Sequence, residues 1–220
     1  MKLQVKICGV RTPEAIAASV QGGARYVGFV FYARSPRSIE PNLAAELART
    51  VPTGIRTVGL FVDPDDAFLE NVLGRVPLDM IQLHGSETPD RVAEIRQDFP
   101  AAVMKAVKIG APEDLKTAKS YDGIVDRLLF DAKPPANVAA LPGGNGVPFD
   151  WSLLAGREWL SPWMLSGGLT PGNLAEAVAV TGAPAVDVSS GVEDRPGHKD
   201  PALIASFLAA AARLEAERVD

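Results

Sequence analysis

Short apolar segments rich in Val, Ile and Phe alternate along the chain with longer segments rich in Ala, Leu and Glu. A short apolar run of this composition is typical of a buried strand, whereas the longer segments favour helices. Eight segments have the strand pattern: Leu3 to Ile7, Tyr26 to Phe31, Thr57 to Val62, Met80 to Leu83, Val103 to Val107, Leu128 to Phe130, Trp163 to Leu165 and Ala185 to Val188. The pattern therefore predicts eight strands separated by helices.

Prolines mark the expected helix starts. A proline in the first helical turn loses no hydrogen bond, because the N–H at that position has no partner within the helix. Seven prolines stand where a helix should begin: Pro13, Pro41, Pro64, Pro89, Pro112, Pro171 and Pro201. Five of the preceding residues can accept from the following backbone amides as N-caps: Thr12, Asp63, Thr88, Thr170 and Asp200.

The order of these elements predicts the fold. Strands separated by helices run parallel and are joined by right-handed crossovers, and eight such units close a barrel. We therefore predict an α/β fold, with residues 1–220 forming a single (βα)8 TIM barrel. An open doubly wound sheet is the alternative, but the chain lacks strongly apolar central strands and has no composition break. The Pro- and Gly-rich stretch from Pro134 to Pro148 is expected to be one long loop.

Composition narrows the function. The chain has 220 residues, of which 47% are hydrophobic and 22% charged, as in ordinary globular proteins. Its single cysteine excludes an intramolecular disulfide, and its two distant histidines do not suggest a metal site. A net charge of −5 without a basic run argues against nucleic-acid and anionic-membrane partners. No segment has the pattern of a signal peptide or a membrane span, so we expect a cytoplasmic protein.

Alternation along the strands predicts which side chains face the barrel interior. In the first strand, Lys6 and Cys8 share the more polar face, so the apolar face should meet the helices. The same reasoning groups Gln82 with His84, Leu129 with Asp131, and Asp187 with Ser189. Polar side chains should therefore gather near the carboxyl ends of four strands. Because the first and last strands adjoin in a closed barrel, we expect Lys6 and Asp187 to form an ion pair.

Three of these side chains are candidates for chemistry, each with a structural alternative. Cys8 precedes Gly9 at the carboxyl end of a strand, where barrel enzymes keep their active sites, although a buried cysteine can also be an inert hydrophobe. Asp131 is expected across the barrel mouth, as a catalytic carboxyl or as a cap for loop amides. A structural role is favoured for His84, and His198 is expected in a solvated loop.

Two glycine-bearing turns follow the last two strands. They contain Gly167 and Gly168 in the first turn, and Ser189, Ser190 and Gly191 in the second. Glycine lets backbone amides approach an anion closely, and barrel enzymes often bind phosphate with these two loops. Ordinary turn glycines are the alternative. A phosphorylated small molecule is the favoured ligand.

Seven short motifs carry a family resemblance: Lys6-Ile7-Cys8-Gly9, Ser35-Pro36-Arg37, Gln82-Leu83-His84-Gly85, Phe130-Asp131, Gly143-Gly144-Asn145-Gly146 leading to Phe149-Asp150-Trp151, Ser166-Gly167-Gly168-Leu169, and Asp187-Val188-Ser189-Ser190-Gly191-Val192-Glu193. Together, in order over nearly the whole chain, they resemble phosphoribosylanthranilate isomerase of tryptophan biosynthesis. The resemblance implies a barrel enzyme without metal or cofactor. The stretch from Ala132 to Leu141 is longer than in common versions of the family.

The resemblance also implies a reaction and roles. The substrate is N-(5'-phosphoribosyl)anthranilate, converted by an Amadori rearrangement to 1-(2-carboxyphenylamino)-1-deoxyribulose 5-phosphate. Cys8 would be the general base and Asp131 the general acid, and Lys6 would assist ionisation of the thiol. Arg37 would meet the anthranilate carboxylate. The remaining substrate-binding residues would be Gln82, His84, Gly167, Gly168, Asp187, Ser189, Ser190 and Gly191. Both a monomer and a homodimer stay open.

Two other functions compete with this interpretation. A Schiff-base aldolase on the same barrel would use Lys6, Lys105 or Lys133 as its amine. A catalytically silent phosphosugar-binding barrel would keep the two glycine turns but would not need a thiol facing a carboxyl.

Overall fold

Eight parallel strands close into a ring in the computed structural model, which describes residues 3–133 and 149–216. Each strand pairs with the next along the chain, and the last pairs with the first. The strands are β1 (Gln4–Cys8), β2 (Tyr26–Phe31), β3 (Arg56–Phe61), β4 (Met80–Leu83), β5 (Ala102–Ile109), β6 (Arg127–Ala132), β7 (Trp163–Leu165) and β8 (Ala185–Val188). The predicted (βα)8 TIM barrel is confirmed.

Helices surround the ring. They are α1 (Pro13–Gln21), α2 (Pro41–Ala48), α3 (Asp66–Leu73), α4 (Pro89–Asp98), α5 (Asp114–Tyr121), α6 (Leu174–Thr181) and α7 (Pro201–Ala216). Short 3₁₀ helices span Trp151–Leu154, between β6 and β7, and Ser190–Val192, after β8. An antiparallel hairpin of β9 (Glu193–Arg195) and β10 (His198–Lys199) follows before α7.

Proline and a threonine cap start two of the helices as predicted. The Thr12 hydroxyl accepts from the backbone N–H of Ala15 at 3.2 Å, and Pro13 begins α1. The same arrangement recurs in α4, where the Thr88 hydroxyl accepts from the N–H of Arg91 at 3.3 Å. These are local contacts, which explains why the local sequence was sufficient to predict them.

The predicted starts at Pro64, Pro112 and Pro171 are wrong by two or three residues, because α3, α5 and α6 begin at Asp66, Asp114 and Leu174. Only α3 has a side-chain cap among these three helices, because Asp65 accepts from the N–H of Phe68 at 2.8 Å. Asn173 Oδ1 instead accepts from the N–H of Thr170 at 2.8 Å, in the turn before α6.

Asp63, the expected cap of α3, serves a loop instead. Its φ of 47° lies in the left-handed region, which a helix cap does not use. Its carboxylate accepts from the N–H of Ser86 at 2.6 Å, and its own N–H donates to Glu87 at 2.9 Å. Asp63 therefore ties the loop after β3 to the loop after β4.

Two apolar layers hold the barrel together. The outward faces of the strands pack against the helices, with Ile7, Val27 and Phe29 among the buried residues. A smaller cluster fills the barrel interior: Tyr26, Val58, Met80, Met104, Ala106, Leu129, Met164 and Ala185. Polar side chains of the same interior faces lie nearer the carboxyl ends of the strands. This confirms the alternation predicted from the sequence.

A buried ion pair joins β5 to the loops at the carboxyl end of the barrel. Lys105 Nζ donates to Glu87 Oε2 at 2.8 Å and to the carbonyl of Gly85 at 2.8 Å. The side chains of Lys105 and Glu87 are 3% and 2% exposed. Burial lowers the pKa of Lys105 although the Glu87 carboxylate acts in the opposite direction. The pair stabilises the loop that carries His84 only while both partners are present.

We predict that Lys105→Met lowers the free energy of unfolding by about 3–5 kcal/mol, because Glu87 then stays buried without its cation. Urea denaturation followed by circular dichroism measures the change. The matched control is Arg96→Met, which removes the more exposed pair with Asp126 and is expected to cost about 1 kcal/mol or less.

The double variant Lys105→Met/Glu87→Gln tests the cause. It removes the unpaired charge and is expected to recover part of the lost stability. A single variant as stable as wild type, or a double variant less stable than the single, would contradict this account.

Candidate active site

Cys8 and Lys6 lie side by side in the barrel interior, next to a glycine of β2. Cys8 is 4% exposed and Lys6 is 0% exposed. A Cβ atom added to Gly28 would lie 3.3 Å from both Cys8 Sγ and Lys6 Nζ. Gly28 therefore leaves the space that the thiol and the ammonium occupy. The sequence gives no sign of this role for Gly28, because nothing in the apolar run of β2 shows which residues of β1 it faces.

The predicted ion pair between Lys6 and Asp187 is confirmed. The two residues are register partners across β1 and β8, and Lys6 Nζ lies 2.8 Å from Asp187 Oδ1. Ser166, at the end of β7, donates to Asp187 Oδ2 at 3.1 Å. Burial alone would lower the pKa of Lys6, but the charge of Asp187, together with Cys8, raises it. Lys6 is therefore a permanent cation beside the thiol.

Burial dominates the electrostatics of Cys8. It raises the pKa of the thiol, and the nearby Lys6 cation opposes this without cancelling it. The Asp187 carboxylate raises the pKa further, while Lys199 lowers it. Lys6 thus acts in the direction expected from the sequence, but the thiol stays protonated in the unliganded protein at neutral pH. Its conjugate thiolate is correspondingly a stronger base.

Asp131 belongs to a buried hydrogen-bonded chain on the opposite side of the barrel mouth. It is 3% exposed near the end of β6, and its Oδ2 lies 3.1 Å from His84 Nε2. His84 Nδ1 lies 3.0 Å from Gln82 Nε2, and both residues extend from β4. Both ring nitrogens of His84 have partners, as the structural alternative expects, and one of these partners is the candidate acid.

Arg37 is held in place by a carboxylate. It is 5% exposed, and its side chain packs against Gly9, where an added Cβ would lie 3.0 Å from Arg37 Cδ. Its Nε and Nη2 donate to Glu193 Oε1 and Oε2, each at 2.8 Å. Arg37 is therefore a buried, paired arginine and not one on the exposed surface of a turn. The aliphatic part of its side chain stands beside Gly9, directly after β1.

Lys199 and Glu193 form a charged cluster with Arg37. The sequence pattern did not indicate a role for either of them. Lys199 Nζ donates to Glu193 Oε1 at 2.5 Å and to the backbone carbonyl of Ser189 at 2.9 Å. Burial would raise the pKa of Glu193, but Arg37 and Lys199 together lower it. Arg37, Glu193 and Lys199 therefore form a buried group with one net positive charge. Lys199 stands in β10, a hairpin strand that the apolar pattern did not predict.

The two glycine-bearing turns pack directly against each other. A Cβ on Gly191 would overlap the carbonyl oxygen of Leu169, in the turn after β7. Gly167 has a φ of 90°, and a Cβ there would lie 2.6 Å from the backbone nitrogen of Ala132. A side chain at Gly191 would separate the two turns, and one at Gly167 would clash with the end of β6. The two turns therefore form one continuous surface of backbone.

Several backbone N–H groups of this surface are available to a ligand. Within residues 3–133 and 149–216, the N–H groups of Gly168, Ser190 and Gly191 have no hydrogen-bond acceptor. Ser189 points its hydroxyl to the carbonyl of Cys8, at 3.2 Å. The turns after β7 and β8 thus offer donors to an anion within the same rim that carries the thiol.

The structure brings the predicted site residues to one end of the barrel. Those on strands or directly after them stand at the carboxyl ends: Cys8, Gln82, His84, Asp131, Asp187 and Ser189. The remaining ones are in the loops of the same end: Arg37, Gly167, Gly168, Ser190 and Gly191. The motif at Gly143 to Gly146 and the predicted loop from Pro134 to Pro148 lie outside the described residues. His198 is exposed, as expected, and pairs with Asp194.

The described residues contain neither a metal-binding group nor a membrane-spanning helix. No group of three or more His, Cys, Asp or Glu side chains is placed to hold a metal ion in this part of the chain. Among the helices of the same residues, none has the length and apolar character needed to cross a membrane.

Comparison with known proteins assigns the family. A family model described as N-(5'-phosphoribosyl)anthranilate (PRA) isomerase matches residues 5–210. The chain belongs to this family. The family's isomerase from Rhodospirillum centenum is 70% identical over 214 residues, covering 97% of this chain and 100% of the relative. The isomerase from Paracoccus denitrificans is 58% identical over 211 residues, covering 96% and 98%.

Solved structures of family members share the fold. The isomerase from Thermotoga maritima is 37% identical and superposes with a TM-score of 0.86, over 96% of this chain and 99% of the other. A second structure, 34% identical with a TM-score of 0.81 over 96% and 99%, holds reduced 1-(o-carboxyphenylamino)-1-deoxyribulose 5-phosphate. The resemblance stated from the motifs is confirmed.

We predict that alkylation of Cys8 by iodoacetamide has a pH midpoint above that of an unperturbed cysteine, because burial raises its pKa. The rate is followed by mass spectrometry over a pH series, and no other thiol contributes in this chain. Free cysteine is the control. The pH midpoint is compared and not the absolute alkylation rate. Burial limits the access of iodoacetamide to Cys8 and slows the reaction equally at every pH, so it leaves the midpoint unchanged. A midpoint below that of free cysteine would mean that Lys6 outweighs burial.

Proposed function

We propose that this chain converts N-(5'-phosphoribosyl)anthranilate to 1-(2-carboxyphenylamino)-1-deoxyribulose 5-phosphate in tryptophan biosynthesis, using Cys8 as general base and Asp131 as general acid. The observation that carries the roles is the placement of a buried thiol on β1 and a buried carboxyl on β6 at the same barrel mouth. Two strands, β7 and β8, separate β6 from β1 around the ring. A small sugar can therefore lie between the two groups.

The reaction needs one proton delivered and one removed. Asp131 gives its proton to the ring oxygen of the ribose, so the C1'–O bond breaks and an iminium forms. Cys8, as the thiolate, then takes the proton from C2', and the electron pair of that C–H bond forms the enolamine. The enolamine tautomerises to the aminoketone product. Each positioned group is typically worth about 10²–10⁴-fold.

The environment of Cys8 suits removal of a proton from carbon. A thiol whose pKa is raised yields a more basic thiolate, which favours abstraction of a weakly acidic proton. The cost is a smaller thiolate fraction. Lys6 and Lys199 limit that cost because both cations lower the pKa of the thiol. The same dependence on a free thiol favours a reducing compartment, so we place the reaction in the cytoplasm.

The two anionic ends of the substrate match two features of the rim. The N–H groups of Gly168, Ser190 and Gly191 suit the phosphate, with Gly167 giving the turn its shape. The buried cluster around Arg37 has one net positive charge and suits the anthranilate carboxylate.

The polar interior residues contribute to binding between these two ends. We assign this contribution to His84, Asp187 and Ser189, whereas the fully buried Gln82 contacts His84 and supports the site from behind it.

The aldolase alternative is disfavoured by the lysines themselves. A Schiff-base lysine must be a neutral amine. Lys6 is paired with Asp187 and has a raised pKa, so it remains an ammonium ion. Burial lowers the pKa of Lys105, but its amine donates to Glu87 and to two backbone carbonyls and does not face the barrel mouth as a free nucleophile. Lys133 pairs with Asp114 at 2.6 Å. Treatment with borohydride and substrate is expected to trap no adduct, whereas an aldolase would be labelled.

We predict that purified protein removes the fluorescence of the anthranilate adduct, and that Cys8→Ser and Asp131→Asn each reduce kcat by at least about 10². Each variant keeps the size of the side chain and removes the thiol or the acidic proton. Circular dichroism checks that the fold is intact. Near wild-type turnover in a variant would refute the role of that residue, and no turnover by wild-type protein would favour a phosphosugar-binding protein.

We predict that Arg37→Ala raises KM about 10-fold or more with a smaller change in kcat, because a charge-assisted contact to the substrate is lost. Steady-state kinetics in the fluorescence assay measure both constants. Arg34→Ala is the matched control, since Arg34 is an exposed arginine three residues away. An unchanged KM in the Arg37 variant would count against the carboxylate contact.

A further inference from the structure

Gln82 is a buried amide whose side chain makes a single hydrogen bond within the described residues. It is 0% exposed, its Nε2 lies 3.0 Å from His84 Nδ1, and its Oε1 has no partner there. Leaving a buried polar atom without a partner is unfavourable, so a residue of this kind at a site calls for an explanation. The one contact that Gln82 does make leads through His84 to Asp131.

With Nε2 of Gln82 turned towards His84, as it is in this structure, the donors and acceptors of the chain fit one protonation pattern. An amide Nε2 only donates, so the His84 Nδ1 facing it must be the unprotonated nitrogen. The ring proton of a neutral imidazole is then on Nε2, which faces Asp131 Oδ2 at 3.1 Å. A carboxylate oxygen only accepts, so the Nε2–H donates to it. All hydrogen bonds of the chain therefore point from Gln82 towards Asp131.

We propose that Gln82 is a positioning residue for the acid. It holds His84 as the neutral imidazole with its proton on Nε2. His84 in turn donates a hydrogen bond to Oδ2 of Asp131, so that Oδ1 carries the catalytic proton. This inference rests on the proposed function. Oδ2 accepts from His84 whether or not Oδ1 is protonated, so the tautomer does not change during the reaction.

The arrangement favours proton transfer from Asp131. When Oδ1 gives its proton to the ring oxygen, the carboxyl becomes a carboxylate, and the bond from His84 becomes charge-assisted and stronger. An interaction that strengthens as the reaction proceeds lowers the barrier rather than merely improving binding. A protonated Nδ1 would leave Nε2 as an acceptor, which would hold the proton of Asp131 on Oδ2 and away from the substrate.

Nitrogen NMR of labelled histidine tests the tautomer directly. The chain has two histidines, and His198→Asn leaves His84 as the only one. At a pH above the usual titration range of histidine, we expect the signals of a neutral ring with Nδ1 unprotonated. In Gln82→Glu, a carboxylate faces Nδ1 and can only accept, so we expect a proton on Nδ1. A wild-type spectrum with the proton on Nδ1, or a Gln82→Glu spectrum identical to wild type, would overturn the inference.

Kinetics test whether the tautomer matters. Gln82→Met keeps the length of the side chain and removes its hydrogen bond, so we expect kcat to fall about 10-fold while KM changes less than about twofold. Asp131→Asn combined with Gln82→Met should show no further loss, since Gln82 acts through Asp131. An unchanged kcat, or a loss that is fully additive with Asp131→Asn, would contradict a positioning role.

The two proposals fail in distinguishable ways. An active wild-type protein with the proton on Nδ1 would overturn this inference and leave the proposed function standing. A wild-type protein without turnover would overturn both. Thermal denaturation of each variant identifies any that does not fold, and the wild-type spectrum decides the tautomer without them.

Discussion

The buried ion pair between Lys6 and Asp187 is the interaction on which the rest of the site depends. It lies between the first and last strands of the ring, so it forms only when the barrel is closed. It also places a permanent cation beside Cys8 in a region from which water is excluded. A buried charge without its partner is costly, so closure of the barrel and the electrostatics of the thiol are linked through the same two residues.

The candidate base and the candidate acid have different surroundings. Cys8 lies among charges of both signs, and burial raises the pKa of its thiol. Among the described residues, Asp131 forms no ion pair with a lysine or an arginine, and its contact is a histidine backed by an amide. The charged groups therefore lie mainly on the side of β1 and β8. On the side of β4 and β6, the polar groups are joined by hydrogen bonds. One rim thus carries two distinct environments for two proton transfers.

The fold and most of the site could be predicted because their signals are local. The eight apolar segments, the threonine caps at Thr12 and Thr88, and the parity that groups Gln82 with His84 all follow from a few neighbouring residues. The Lys6–Asp187 pair required only one further step, the closure of the ring. Family motifs then supplied roles for Cys8, Asp131 and Arg37 that spacing alone left open.

What the sequence did not reveal depends on contacts between distant segments. Asp63 looks like a helix cap, but the loop after β4 holds it in a left-handed conformation. Gly28 looks like any glycine in a strand until Cys8 and Lys6 are placed against it. Lys199 reaches Glu193 only because a short hairpin folds back over the barrel mouth. None of these three contacts produces a periodic pattern.

The most direct test of the central claim compares deuterium isotope effects on kcat, using substrate labelled at C2'. If Cys8 removes that proton, Cys8→Ser makes this step limiting and raises the isotope effect above the wild-type value. If Asp131 opens the ring, Asp131→Asn makes an earlier step limiting and suppresses the isotope effect. The account predicts these opposite changes. The reverse pattern, or the same change in both variants, would contradict the assignment of base and acid.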